Sequence, residues 1–232
     1  MTEIKYAHLN VSVDCVVFGW SGEDLNVLLI DQKRIEINDN TPARVALPGD
    51  LVLENEGLDD AANRILKELT NLEGIFLNQF HTFGNPDRVK GLKDQEWLRS
   101  FRENPEAHVI TVAYFALVRM DGFSPEANSF ASKTQWLKLK DIPELVFDHN
   151  EIVNCALGHL KGEIEQKHIG FELLPKKFTL SQIQNLHEAI LEQKLDKRNF
   201  RKSIKKLESI VPLNEKQVGV THKPGQLFKY EK

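Results

Sequence analysis

The sequence predicts an α+β protein in two parts: an α/β/α sandwich, then a small basic helical domain ending in a hairpin. Three observations carry this reading. Extended apolar runs flank one strongly amphipathic helix in the first 150 residues. From Phe171 onward the pattern changes to two short helices and a turn-rich terminal stretch. The charge divides along the same line: residues 171–232 hold 13 Lys+Arg against 7 Asp+Glu, and the rest hold 17 against 27. A basic block on an acidic body points to a polyanion partner for that block alone.

Leu9 to Phe18 alternates, with Val11, Val13, Cys15 and Val17 set against Asn10, Ser12 and Asp14. It turns at Gly19-Trp20-Ser21-Gly22 into a second apolar run, Leu25 to Ile30, so the pair reads as a hairpin. A polar loop from Asp31 to Pro42 leads through Arg44-Val45-Ala46 to the turn Leu47-Pro48-Gly49-Asp50. A short extended run (Leu51 to Leu53) and an acidic loop (Glu54 to Gly57) follow. Leu58 to Leu72 is the amphipathic helix, because Leu58, Ala61, Ala62, Ile65, Leu66 and Leu69 fall three or four apart on one face. Asp59 and Asp60 occupy its first turn, where the helix dipole favours negative charge. Ile75 to Phe83 is extended, Trp97, Leu98 and Phe101 are spaced for a short helix, and His108 to Val118 is the longest strand. Thr134 to Leu139 adds a short strand carrying Trp136.

Ile142 to Gly162 holds a connector helix, with Ile152, Val153, Ala156, Leu157 and Leu160 packed on the first domain. Asp148-His149 before it reads as helix capping, since no nucleophile partners the pair. The domain boundaries expected are 1–150, a connector and linker over 151–170, and 171–232.

Composition is that of a globular protein, with 41% hydrophobic and 28% charged residues. No apolar run approaches the ~20 residues a membrane helix needs. Met1-Thr2-Glu3-Ile4-Lys5 lacks the pattern of a signal peptide. Cys15 and Cys155 lie far apart and read as free thiols of a reducing cytoplasm. His81, His108, His149 and His187 lack metal-ligand spacing, so no metal site is expected. Trp97, Trp136 and Phe83 read as core.

In the last 62 residues, Thr179 (with Ser181 as an alternative) caps a helix carrying Leu180, Ile183, Leu186, Ile190 and Leu191. Asp196 caps a second helix over Lys197 to Leu207, whose apolar stripe is Phe200, Ile204 and Leu207. Val211 to Tyr230 reads as a hairpin wing, with Pro224-Gly225 between Val218-Gly219-Val220 and Leu227-Phe228-Lys229-Tyr230. Two helices joined by a tight turn, the second basic, followed by a wing, describe a winged helix-turn-helix reader of double-stranded DNA. Lys197, Arg198 and Asn199 are the base-contact candidates, at the N-terminus of the recognition helix. Lys176, Lys177, Lys202 and Lys205 are the phosphate contacts, with Thr179, Ser181, Gln182, Arg201 and the wing-tip His222 and Lys223 completing the face.

The stretch from Asp50 to Leu72 resembles the Nudix box, G-x5-E-x7-R-E-U-x-E-E-x-G-U with U a bulky aliphatic. Glu56, Arg64, Leu66, Glu68 and Leu72 match. Asp50 replaces the first Gly, Ile65 the Glu after the Arg, Leu69 the second Glu of the later pair, and Asn71 the last Gly. In the family those glutamates hold the divalent metal that activates water on a pyrophosphate. The box therefore implies the fold and argues against the hydrolysis. With the C-terminal block, the chain resembles the Nudix-related transcriptional regulators of the NrtR type that control NAD metabolism genes. Phe83-Gly84-Asn85-Pro86-Asp87-Arg88, Val146-Phe147-Asp148-His149, Leu173-Leu174-Pro175-Lys176 and Asp196-Lys197-Arg198-Asn199-Phe200-Arg201 carry that resemblance.

The resemblance implies a Nudix-like α/β/α sandwich followed by a winged helix-turn-helix domain. It also implies a homodimeric, cytoplasmic repressor on a palindromic operator. ADP-ribose would be its effector, with no cofactor required. The effector residues expected are Arg44, Asp50, Glu56, Arg64, Glu68, Phe83, Asp87 and Arg88, with Arg44 and Arg88 clamping the diphosphate. Two alternatives stay open: an active Nudix pyrophosphohydrolase with an accessory nucleic-acid module, and a sugar-sensing regulator of the same architecture.

Overall fold

The structure is a computed structural model that describes residues 9–33, 44–167, 173–221 and 223–231, without the side chains of 165–167. Its first part is a 7-stranded mixed sheet formed by β1 (Leu9–Trp20), β2 (Leu25–Gln32), β3 (Arg44–Ala46), β4 (Gly49–Leu51), β5 (Asn78–Phe83), β6 (His108–Arg119) and β7 (Ala131–Lys138). The order is β3-β2-β1-β6-β5, with β4 paired to β1 and β7 paired to β2. β1 and β6 run parallel along their full length, and the other pairings are antiparallel.

β1 explains why the sheet needs a helix on each face. Its side chains alternate between faces, yet every residue from Ser12 to Trp20 is buried. Val13 and Cys15 pack with Ala61, Ala62, Ile65 and Leu69 of α1 (Leu58–Thr70). Val16, Phe18 and Trp20 point the other way, into a cluster with Ile152, Val153, Ala156, Leu157, Leu160 and Ile164 of α3 (His149–Lys167). The result is the α/β/α sandwich expected. α2 (Leu92–Phe101) forms where Trp97, Leu98 and Phe101 were spaced for it and covers one end of the sheet.

Several boundaries differ from the sequence reading. α1 stops at Thr70, because Asn71 takes the left-handed conformation at φ 56° and closes the helix onto Lys67 O. The connector helix begins at His149, inside the Ile142 to Gly162 stretch and beside the expected cap, and packs on both the sheet and the C-terminal part.

The second part is a winged helix. α4 (Leu180–Leu191) opens with a full capping box: Thr179 Oγ1 accepts from Gln182 N, and Gln182 Oε1 accepts from Thr179 N. α5 (Lys197–Ile204) is capped by Asp196, whose carboxylate accepts from Asn199 N at 2.8 Å. Glu188 secures the turn between them by accepting from Lys194, Gln184 and Leu195 N, and those donors hold its carboxyl down at about 2. The wing pairs β8 (Ile210–Lys216) with β9 (Gln226–Tyr230), and Phe178 adds a bridge to Phe228. The first wing strand thus runs earlier than Val218-Gly219-Val220, which lies in the connecting turn with Gly219 at φ 77°.

The core crosses the domain boundary. One cluster runs from Val16, Phe18 and Phe115 of the sheet through Leu160 and Ile164 of α3. It continues to Leu173, Leu174, Ile183, Leu186, Ile204 and Phe228 of the winged helix. A Lys161–Glu192 ion pair at 2.6 Å adds a surface tie between α3 and the end of α4. Because the two parts share a core, unfolding is expected as one transition. Leu160→Ala is expected to cost about 2–5 kcal/mol and to lower both parts together. Calorimetry resolving two transitions, with the winged helix unaffected, would contradict this.

Candidate functional site

The box helix has one dominant polar feature. Arg64 forks onto Glu56, with Nε 2.6 Å from Oε1 and Nη2 2.9 Å from Oε2, and also reaches Glu68 at 3.0 Å and Leu51 O at 3.0 Å. Glu56 is held below the usual carboxylate range chiefly by that Arg64 hydrogen bond, and its second oxygen also takes Leu53 N. Arg64 therefore braces the acidic loop against α1. Ile65 and Leu69 are fully buried among Val13, Cys15 and Tyr114.

A cavity lies next to this brace, at the end of the sheet where β1, β4, α2 and the head of α3 converge. Its floor is a buried polar network centred on Asp14. Thr111 Oγ1 donates to Asp14 Oδ2 at 2.6 Å and itself accepts from Ser12 Oγ at 2.8 Å. Arg88 forks onto Asp148 at 2.7 and 2.8 Å and touches Asp14 at 3.4 Å. Leu47 N donates to His149 Nδ1 at 3.0 Å, so the ring proton sits on Nε2, which faces Asp14 Oδ1 at 3.4 Å. Burial pushes the His149 pKa down, with Asp14 opposing, so the ring is neutral. Gly49 is required here: a Cβ on it would lie 1.9 Å from Asp14 Oδ1.

The cavity wall is aromatic. Trp97 stacks on Phe101 at 4.4 Å and meets Phe130 edge-on at 5.8 Å, and Phe147 completes the wall. Arg44 fixes that wall from behind. It binds Asp94 at 2.8 Å, Lys93 O at 2.9 Å and Gln32 at 3.1 Å, with its guanidinium 5.8 Å from the Trp97 ring centre. Asp50 and Arg102 line the remaining side. Burial raises the Asp50 carboxyl above its ordinary range, offset in part by the hydrogen bond from Leu51 N.

The structure brings Asp50 and Arg88 to the cavity but gives other surroundings to the rest of the expected effector set. Arg44 is held by Asp94, Lys93 O and Gln32, and Arg88 by Asp148 and Asp14, so each is engaged within the chain rather than standing as a free diphosphate clamp. Glu56, Arg64 and Glu68 form the brace, Phe83 is core, and Asp87 pairs with Lys90 on the surface. Asp148-His149 is more than a helix cap: Asp148 is the counter-ion of Arg88, and His149 is part of the cavity floor. Sequence reading missed Asp14, Phe101, Arg102, Phe130 and Phe147, which come from four separate stretches. One signal was available for Asp14, a carboxylate immediately before the apolar run Cys15 to Phe18 of the same strand.

The second candidate surface is on the winged helix. Phe200 and Ile204 turn α5 onto α4, with Phe200 meeting His187 edge-on at 5.2 Å. Lys197, Arg198, Asn199, Lys202 and Lys205 are exposed on the rest of the helix. Among the described residues these four cations, and Lys176, make no ion pair. Lys177 instead pairs with Glu215 of the wing at 2.6 Å, and Arg201 donates to Ser181 at 3.0 Å, tying α5 to the start of α4. Thr179 and Gln182 are engaged in the capping box, and Lys223 is exposed on the wing. His222 lies outside the described residues. A second groove, of about 350 Å³, separates the β1–β2 turn from Leu173-Leu174-Pro175, where the chain enters the winged helix.

Two outcomes follow from the cavity floor. Arg88→Met leaves Asp14 and Asp148 buried without their cation and is expected to cost about 3–5 kcal/mol in urea unfolding; a loss below 1 kcal/mol would contradict the network. His149 titrates lower in the folded chain than its ordinary 6.5. Its contribution is therefore present above about pH 6.5 and lost as pH falls below it, because the unfolded chain takes up the proton first. His149→Gln should flatten the fall in stability below pH 6.5; an unchanged slope would mean the acid sensitivity arises elsewhere.

Comparison with known proteins agrees with both parts. The family model described as "NUDIX domain" matches residues 8–154, and that described as "NrtR DNA-binding winged helix domain" matches residues 170–230. The "ADPR responsive transcriptional repressor NtrR" of Acinetobacter baylyi is 27% identical over 227 residues, covering 95% of this chain and 81% of that protein. Among solved structures, Shewanella oneidensis NrtR complexed with a 27mer DNA superimposes with a TM-score of 0.69 at 23% identity, over 95% of this chain and 93% of that one. The Nudix domain of the same protein complexed with ADP-ribose gives a TM-score of 0.52 at 25% identity, over 67% of this chain and 90% of that one. The chain therefore belongs to the Nudix family and carries, behind its Nudix domain, a winged helix domain of the NrtR type.

Proposed function

We propose that this protein is a DNA-binding transcriptional repressor whose Nudix domain senses ADP-ribose or a closely related nucleotide, controlling genes of NAD metabolism in the cytoplasm. One observation carries the reading. The helix whose head closes the Nudix cavity, α3, packs through its tail on α4, the helix that positions the unpaired cations of α5. Sensor and reader are thereby built on one helix.

The reader works as a homodimer on a palindromic operator, the two recognition helices entering successive major grooves roughly 34 Å apart or a multiple of it. Arg198 and Asn199, at the exposed N-terminal end of α5, meet base edges. Lys176, Lys202 and Lys205 meet phosphates. Lys177 acts indirectly, by holding the wing through Glu215.

The sensor works through its floor. A ligand seated on the aromatic wall and Asp50 reaches Arg88 and His149, and a shift of the Arg88–Asp148 pair moves the head of α3. That movement re-aims α4 and α5, so the two half-sites are no longer matched. The ligand must bind the released state more tightly for this to occur.

Hydrolysis is not part of this function. Two carboxylate positions of the box are Ile65 and Leu69 in the core, and Glu56 is occupied by Arg64. Glu68 alone does not supply the several oxygens that Mg²⁺ demands.

The test is fluorescence anisotropy of a labelled palindromic duplex titrated with protein, then with ADP-ribose, with and without Mg²⁺. Salt-sensitive binding that ADP-ribose reverses without being consumed is expected. Metal-dependent release of ribose phosphate, without duplex binding, would restore the pyrophosphohydrolase. Arg198→Ala should lose about 1–3 kcal/mol of discrimination between operator and random duplex. Lys202→Ala should weaken both equally and lower the log–log salt slope by about 1. The opposite assignment of the two effects would exchange their roles.

A further inference from the structure

Four arginines stand at or beside the cavity, and three are already neutralised. Arg44 is bound to Asp94, Arg64 to Glu56 and Glu68, and Arg88 to Asp148 and Asp14. The fourth, Arg102, is different. It follows α2 directly, its backbone N–H closes the helix onto Leu98 O, and its half-buried side chain forms part of the cavity wall beside Phe101. Among the described residues it makes no ion pair and donates no side-chain hydrogen bond. Asp50, which lines the same side of the cavity, takes Leu51 N on its Oδ1.

We infer that Arg102 is the anion-binding residue of the cavity, so that its ligand carries a phosphate group rather than being a neutral sugar. This rests on the reading of the Nudix domain as a sensor and names the chemistry it recognises. A guanidinium partly withdrawn from water with no bonded counter-charge is unfavourable, and its fork matches a phosphate that would supply that charge. Burial is the largest influence on Arg102, lowering its pKa; Asp50 and Asp14 oppose this and Arg88 adds to it. A phosphate in the cavity would accept two parallel hydrogen bonds from the fork and supply the missing charge. The aromatic wall beside Arg102 offers a face to a base, and the Asp50 carboxyl, which also lines the cavity, offers an acceptor to ribose hydroxyls. Arg88 is already paired with Asp148, which assigns anion recognition and the coupling to α3 to different arginines.

Isothermal titration of the full-length protein with ADP-ribose, ribose 5-phosphate and D-arabinose tests this, alongside release of the labelled duplex. ADP-ribose is expected to bind. Arg102→Ala and Arg102→Gln should weaken it about 10–100-fold, and Arg102→Lys should recover part of the loss. D-arabinose should not bind at comparable concentration. Matched melting temperatures identify variants that are folded, and Arg102→Lys serves where Ala loosens the end of α2. Wild-type affinity in the folded Ala and Gln variants would overturn the inference, as would D-arabinose binding more tightly than either phosphate compound, or none of the three binding. If ADP-ribose binds through Arg102 yet leaves the duplex bound, the inference stands and the repressor reading fails. If ADP-ribose releases the duplex equally well from Arg102→Ala, the repressor stands and the inference fails.

Discussion

A single buried ion pair orders the sensor: the fork of Arg88 onto Asp148, with Asp14 behind it. Three charges withdrawn from water are tolerable only if each is paired and hydrogen-bonded, and this requirement sets their positions. Asp14 comes from the central strand, Arg88 from the loop after β5, and Asp148 from the residue that precedes α3. The pair therefore locks the start of α3 to the middle of the sheet. His149, taking Leu47 N and facing Asp14, adds the turn before β4 to the same lock.

The rest of the molecule transmits from that point. α3 is apolar along the face it turns to the sheet, and the same face continues into the winged helix through Leu160, Ile164 and the core of α4. Close-packed interiors do not deform smoothly, so a displaced helix head moves its packed tail as well. In the function proposed, the Nudix scaffold serves recognition and leverage. Its brace, Arg64 on Glu56, keeps the acidic loop folded against a helix whose Ile65 and Leu69 are in the core.

Much of the architecture was legible in the sequence because it follows from periodicity. The stripe of α1, the alternation at the start of β1, and the caps at Thr179 and Asp196 each answer a local physical demand, and each appears in the structure. The wing was legible as a hairpin but displaced in register, because Pro212 does not exclude a strand at the edge of a two-stranded ribbon. The cavity was far less legible. Its aromatic wall draws Trp97 and Phe101 from one helix, Phe130 from the approach to β7 and Phe147 from the approach to α3. No spacing rule links those positions. Nor does sequence show which arginines are already neutralised, since Arg44 and Arg88 find partners 50 and 60 residues away. Arg102, with no such partner, looks no different from them in one dimension.

The central claim is that ligand in the Nudix cavity is felt by the winged helix through α3. Amide hydrogen exchange of the full-length protein, with and without saturating ADP-ribose, addresses it most directly. Altered exchange at the head of α3 that continues along the helix into α4 and α5 is the expected result. Altered exchange confined to the cavity walls, with α3 and α4 unchanged, would contradict it.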